Sequence, residues 1–131
     1  RHYLAVCLGA PNPPAGTIDL PIARAEGSAI QRKIDSSGQE ARTDYRLLRT
    51  RGPLALLLVT PQTGRTHQIR LHMAAVGHPL AGDWLYGTED KVLIARPALH
   101  SVQLSFSHPV TGACLSFTAP LPGDMKLLLE L

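Results

Sequence analysis

The chain has 131 residues, 44% of them hydrophobic, and 13 Lys and Arg against 10 Asp and Glu, a formal net charge of +3. Such a balance suits a globular domain with a real core and excludes a disordered, strongly charged tail. No apolar run approaches the roughly 20 residues of a membrane-crossing helix, and no signal-peptide pattern opens the chain. Cys7 and Cys114 lie far apart in strand-like contexts, match no metal-ligand spacing and read as small core residues. A reducing cytoplasm is the expected location.

Tyr3 to Leu8 is a short apolar and β-branched run closed by Gly9, the pattern of a buried strand. Ala10 to Gly16 holds three prolines and reads as a loop, and Thr17 to Ile22 as a brief extended segment. From Ala23 to Gly38 the sequence is polar without clean periodicity, with a short strand expected near Arg32 to Ile34. Ala41, Thr43, Tyr45 and Leu47 alternate with Arg42, Asp44 and Arg46, so one face is buried and the other is solvated or faces a polyanion. After Arg51-Gly52-Pro53, Leu54 to Val59 reads as a central strand paired with its predecessor.

A helix is expected from Thr66, a good N-cap residue, to Gly77. Ile69, Met73 and Val76 form its core-facing stripe, and His78-Pro79 ends it. In the following loop, Gly82 to Gly87, Trp84 and Tyr86 are the expected anchors. Val102, Leu104 and Phe106 alternate with polar residues in a half-buried strand. His108 to Gly112 turns the chain into a second hairpin arm, Ala113 to Thr118. Pro122-Gly123-Asp124 starts a short helix whose Leu127, Leu128 and Leu131 pack on the sheet. The sum is an α+β domain: a mixed, mostly antiparallel sheet with a few packed helices, spanning 1–131 as one unit.

Ten of the basic residues are Arg, and six of these fall between Arg42 and Arg70. They read either as a solvated basic surface or as a phosphate-tracking face. Thr63-Gly64-Arg65-Thr66 places a guanidinium beside a helix mouth, where unpaired N–H groups and the helix dipole favour an anion. Arg65 there either clamps a carboxylate or ties the turn to a neighbouring Asp. Tyr3 is either a core tyrosine or a ring that stacks on a base. Arg70 is in reach of a phosphate or of a carboxylate. His67 and His72 read as packing residues with no zinc-site spacing, and Asp83 as a turn-stabilising residue. No Gly-x-Ser-x-Gly elbow, Walker loop or dinucleotide fingerprint occurs.

Five motifs in order then resemble the RluA-like pseudouridine synthases. Arg1-His2-Tyr3-Leu4-Ala5-Val6 is similar to that family's Lys-x-Tyr-x-Ala motif, with Arg in place of Lys. Ala41-Arg42-Thr43-Asp44-Tyr45 resembles its Ala-x-Thr-x-Tyr strand, and Thr63 to His72 its signature helix. Gly77-His78-Pro79-Leu80-Ala81-Gly82-Asp83 continues the match, and Leu99-His100-Ser101 with Phe106-Ser107-His108-Pro109 fits the late strand. The resemblance covers nearly the whole chain, as the C-terminal part of a catalytic domain.

The resemblance implies an isomerase that converts uridine to pseudouridine in ribosomal or transfer RNA by base flipping, with no metal or organic cofactor. Tyr3 would stack on the uracil, Arg65 would pair with a nucleophilic Asp, and Leu99 would form an apolar wall of the uracil pocket; Arg70, from its place among the helix donors, is a further substrate-binding candidate. The family carries that Asp in a His-Arg-Leu-Asp-x-x-Thr-Ser-Gly segment, which does not occur in these residues. Asp19, Asp35, Asp44, Asp83 and Asp124 stand in other contexts, so the 131 residues alone are expected not to catalyse isomerisation. The alternative is a non-catalytic RNA-binding module on the same fold. An uncovered sheet edge would favour dimerisation or domain swapping of the isolated chain.

Overall fold

In the computed structural model, residues 1–87, 94–107, 114–118 and 120–129 are described, the side chains of 103–107 and 114–118 excepted. The elements in chain order are β1 (His2–Leu8), β2 (Ala15–Asp19), β3 (Ile22–Arg24), β4 (Arg32–Ile34), β5 (Arg42–Arg51) and β6 (Leu54–Pro61). They are followed by α1 (Gln68–Ala75), β7 (Leu99–Ser107), β8 (Cys114–Thr118) and α2 (Gly123–Leu129). Six strands form one sheet in the order β2-β5-β6-β1-β7-β8, and β3 and β4 form a separate two-stranded ribbon. Every described pairing is antiparallel. This is the α+β architecture expected. Among the described residues no helix is long and apolar enough to cross a membrane.

The central strands β1 and β6 are apolar from Tyr3 to Leu8 and from Leu54 to Val59 because both of their faces are covered there. Tyr3, Ala5 and Cys7 alternate onto one face with Ala55, Leu57 and Val59, where Ile69 and Met73 of α1 pack. Leu4, Val6 and Leu8 point the other way with Leu54 and Leu56, against Met125, Leu128 and Leu129 of α2. The period of two thus divides one run of residues between two cores. A smaller cluster of Ile22, Ala41 and Leu71, with Ile34 and Tyr86 against it, fastens the ribbon to α1.

β5 buries Thr43 and half-buries Tyr45 and Leu47 on the α1 side, as the alternation predicts. The register slips between Leu47 and Arg49, which leaves Leu48 exposed and sets Arg49 and Arg51 opposite Leu56 and Leu54. The Arg residues of β5 therefore leave the sheet on the side away from α1. Arg51 donates to the Leu128 carbonyl at 2.8 Å, and Arg42 lies 3.9 Å from Asp19.

Several sequence expectations are corrected. β2 begins at Ala15, inside the expected loop, because Ala15 and Gly16 pair with Arg46 and Tyr45. Ile22 to Arg24, read as extended and then irregular, pairs with Arg32 to Ile34. Helix α1 starts at Gln68 rather than near Thr66: its N-cap residue is His67, in the left-handed region at φ 56° with no side-chain cap. Val76 is the C-cap and 41% exposed, so the helix buries Gln68, Ile69, Leu71, His72 and Met73 instead of a stripe reaching Val76. Trp84 is 52% exposed, leaving Tyr86 as the loop's anchor, and Leu127 is 78% exposed while Leu128 and Leu129 are buried. Leu131, the His108 to Gly112 turn and the side chains of Leu104, Phe106 and Cys114 lie outside the described residues.

Candidate nucleic-acid active site

A cavity of about 490 Å³ opens where β1, the end of β6 and the turn into α1 meet β7. Tyr3, Arg65, Arg70 and Leu99 all line it, joined by Arg1, His67 and Ile69 among others. Tyr3 and Leu99 reach it from neighbouring strands of the sheet: β1 and β7 pair Tyr3 with Ser101 and Ala5 with Leu99. The phenol of Tyr3 accepts from Arg1 at 3.2 Å. Arg65 is half-buried at the rim, and its Nε donates to the Glu40 carbonyl at 2.8 Å. A carbonyl leaves the guanidinium charge uncompensated, and among the described residues the two terminal nitrogens carry no hydrogen bond and can face an anion.

Gln68 shapes the turn that holds Arg65. Its buried Oε1 accepts from the Thr63 hydroxyl at 2.7 Å and from the Arg65 backbone N–H at 3.1 Å. Its Nε2 donates to the Arg42 carbonyl at 2.8 Å and to the Thr43 hydroxyl at 2.9 Å. All four hydrogen-bonding positions of the amide are used, and they bridge β5 to the turn. With the turn's donors drawn onto Gln68, the chain enters α1 through His67 in place of a Thr66 cap. Gln68 is a site-shaping residue that the sequence does not single out, because its partners on β5 lie more than twenty positions away.

Two histidines sit where burial disfavours their charged forms. His72 Nε2 lies 2.8 Å from the Leu20 carbonyl and must donate to it, so Nδ1 accepts from the Thr43 hydroxyl at 2.8 Å. Burial pushes the His72 pKa down. Tyr86 accepts from the Arg32 backbone N–H at 2.9 Å, and its hydroxyl is hydrogen-bonded to His67 Nδ1 at 2.7 Å. Burial, then the nearby charges of Arg70 and Arg32, lower the His67 pKa. His67 also lines the cavity.

Arg70 belongs to the cavity wall and to a buried ion pair. Its Nε and one terminal nitrogen donate to the two Asp83 oxygens at 3.0 and 2.9 Å. The guanidinium carbon lies 5.3 Å from the Tyr86 ring centre and 5.7 Å from that of Trp84. Asp83 also accepts the Leu85 and Tyr86 N–H groups at 3.1 Å, the turn-stabilising part expected of it. Burial raises the Asp83 pKa, but Arg70 and the two N–H groups outweigh it and the net shift is downward. Cys7 is buried in the core, its thiol pushed up to about 12 by desolvation. Among the described residues no group of His, Cys, Asp and Glu is arranged to hold a metal ion.

A second cavity of about 370 Å³ adjoins the first, with Arg65 in both walls. Arg24, Arg32, Ser37, Gly38, Gln39 and Thr66 also line it. Sequence reading missed this site, since the polar stretch around it carries no periodic signal.

Comparison with known proteins follows the same direction. A family model described as RNA pseudouridylate synthase matches residues 1–75. An uncharacterized RNA pseudouridine synthase of Chloroflexus aurantiacus is 44% identical over 131 residues, 99% of this chain and 41% of the relative. The ribosomal large subunit pseudouridine synthase D of Nitrosomonas europaea is 43% identical over 138 residues, 99% of this chain and 40% of its own length. The solved structure of human RNA pseudouridylate synthase domain containing 1 superposes with a TM-score of 0.80 at 29% identity, covering 97% of this chain and 56% of that one. The chain spans less than half the length of these two curated relatives. With the motif order, the fold and the matched residues in agreement, the chain belongs to the RNA pseudouridylate synthase family.

Proposed function

We propose that residues 1–131 are the C-terminal portion of one catalytic domain that isomerises uridine to pseudouridine in structured RNA, ribosomal or transfer. The observation that carries this reading is the meeting of Tyr3, Arg65 and Leu99 at one cavity. Its volume falls within the roughly 300–1,000 Å³ common for small-ligand sites. A base can be reached only after extrusion from its stack, and a flipped uracil needs a flat surface, an apolar wall and a charge clamp. Tyr3 supplies the first, Leu99 the second and Arg65 the third.

The reaction is an isomerisation and balances without an oxidant or reductant. The C1′–N1 bond breaks, uracil is rejoined through C5, and the C5 proton is lost while N1 gains one. The nucleophile is an Asp from outside the motifs present here, held ionised against the terminal nitrogens of Arg65. Tyr3 stacks on the ring and assists removal of the C5 proton. Arg70 keeps the neighbouring wall in place through Asp83 and borders the substrate. RNA is the partner and no metal or organic cofactor takes part; the 131 residues alone are inactive.

The test uses the protein expressed from its complete reading frame and RNA tritiated at uracil C5. Tritium release is expected from the intact protein and is expected to fall by about 100-fold or more in Arg65→Ala, a loss typical of removing an electrostatic catalytic contact. RNA binding with no tritium release from either ribosomal or transfer RNA would favour the non-catalytic binding module. Ribosomal large-subunit RNA is the first substrate to try, given the name of the Nitrosomonas relative.

A further inference from the structure

We propose that the second cavity, between the β3–β4 ribbon and the Arg65 turn, is a subsite for a backbone phosphate of a nucleotide flanking the target uridine. The proposal rests on the reading that the first cavity takes a nucleotide of an RNA. Three arginines, Arg24, Arg32 and Arg65, line this cavity, and among the described residues no Asp or Glu does. Among the described residues none of the three is paired with an acid. One Arg32 nitrogen lies 3.2 Å from the Ile30 carbonyl and 3.4 Å from that of Gln31, and Arg65 Nε is on the Glu40 carbonyl. Carbonyls orient such groups and leave their charge unspent, which is the condition for binding a phosphodiester.

The site is built rather than accidental. The ribbon is closed by three residue pairs, Ile22 with Ile34, Ala23 with Lys33 and Arg24 with Arg32. Gln39 exchanges backbone hydrogen bonds of 2.9 Å with Ile22, and a Cβ on Gly38 would lie 2.6 Å from the Ile22 carbonyl. Only a glycine lets the turn press so closely on β3. The Arg32 N–H is also tied through Tyr86 to His67, a residue of the first cavity, so the two walls hold a common position. Arg65 stands between the cavities and faces both. A strand of RNA with one nucleotide in the first cavity would thus carry its next phosphate over the second.

The experiment measures the affinity of the complete protein for a uridine-containing RNA stem-loop over a series of KCl concentrations. Arg24→Ala/Arg32→Ala is expected to weaken binding by about tenfold or more and make the slope of log K against log salt shallower by about 1 to 2. Gln39→Glu, which leaves every Arg in place and adds a carboxylate to the wall, is expected to weaken binding in the same direction. Unchanged affinity and slope in both variants, with the wild type binding normally, would overturn the subsite and spare the first cavity. A wild type that binds no RNA would overturn both readings together.

Discussion

Arg70 and Asp83 form a two-point ion pair at 2.9 and 3.0 Å, with the carboxylate fully buried and the guanidinium side chain 15% exposed. The pair joins helix α1 to the loop after it, and the same carboxylate carries two loop N–H groups. One acid therefore sets the position of Tyr86, and through Tyr86 that of His67 at the cavity.

Asp83→Asn keeps an acceptor for the loop but leaves the Arg70 charge without its partner. Breaking a buried pair from one side costs about 3 kcal/mol or more. Thermal or urea unfolding is expected to register a loss of that order, and Asp83→Ala a larger one because the N–H groups also lose their acceptor. A loss within experimental error would mean that Arg70 finds water or another acid when released.

Gln68→Leu removes four hydrogen bonds while keeping an apolar side chain of similar size. The Thr63 hydroxyl and the Arg65 N–H lose their acceptor, at about 1–3 kcal/mol for each group left buried and unpaired, while the Arg42 carbonyl keeps the Gln62 N–H at 2.8 Å. The expected signature is a stability loss accompanied by a disproportionate fall in isomerisation at saturating RNA, since the turn presenting Arg65 loosens. Activity that tracks only the folded fraction would make Gln68 a purely structural residue.

His72 and His67 make stability pH-dependent. Both are held below their ordinary pKa, so the unfolded chain binds protons that the folded one refuses. Their contribution is complete above the unfolded value of about 6.5 and is lost as pH falls through the lower folded values. The urea midpoint is expected to drop between about pH 7 and pH 5, and His72→Gln to flatten that drop. An equal slope in the variant would assign the effect to other groups.

The strands and their faces were legible before any coordinates. Tyr3 to Leu8 and Leu54 to Val59 are apolar at every step, and Thr43, Tyr45 and Leu47 alternate, because a strand's burial is written in a local period of two. The family resemblance likewise names Tyr3, Arg65 and Leu99, and the helix donors Arg70, although nothing in their spacing says that they share one cavity.

What the chain alone determined is therefore what depends on near neighbours: strand periodicity, the helix after Gly64, and the residue types at the site. Folding decided which Arg meets a carboxylate and which meets only a carbonyl among the described residues. Arg70 meets Asp83 thirteen positions away and Arg65 meets the Glu40 carbonyl twenty-five away. Thr66 looked like a cap until Gln68 reached Thr43 across the sheet and took over the turn. Charge compensation and hydrogen-bond saturation depend on distances of about 3 Å between groups remote in sequence. Only the packed arrangement of sheet, ribbon and helix sets those distances.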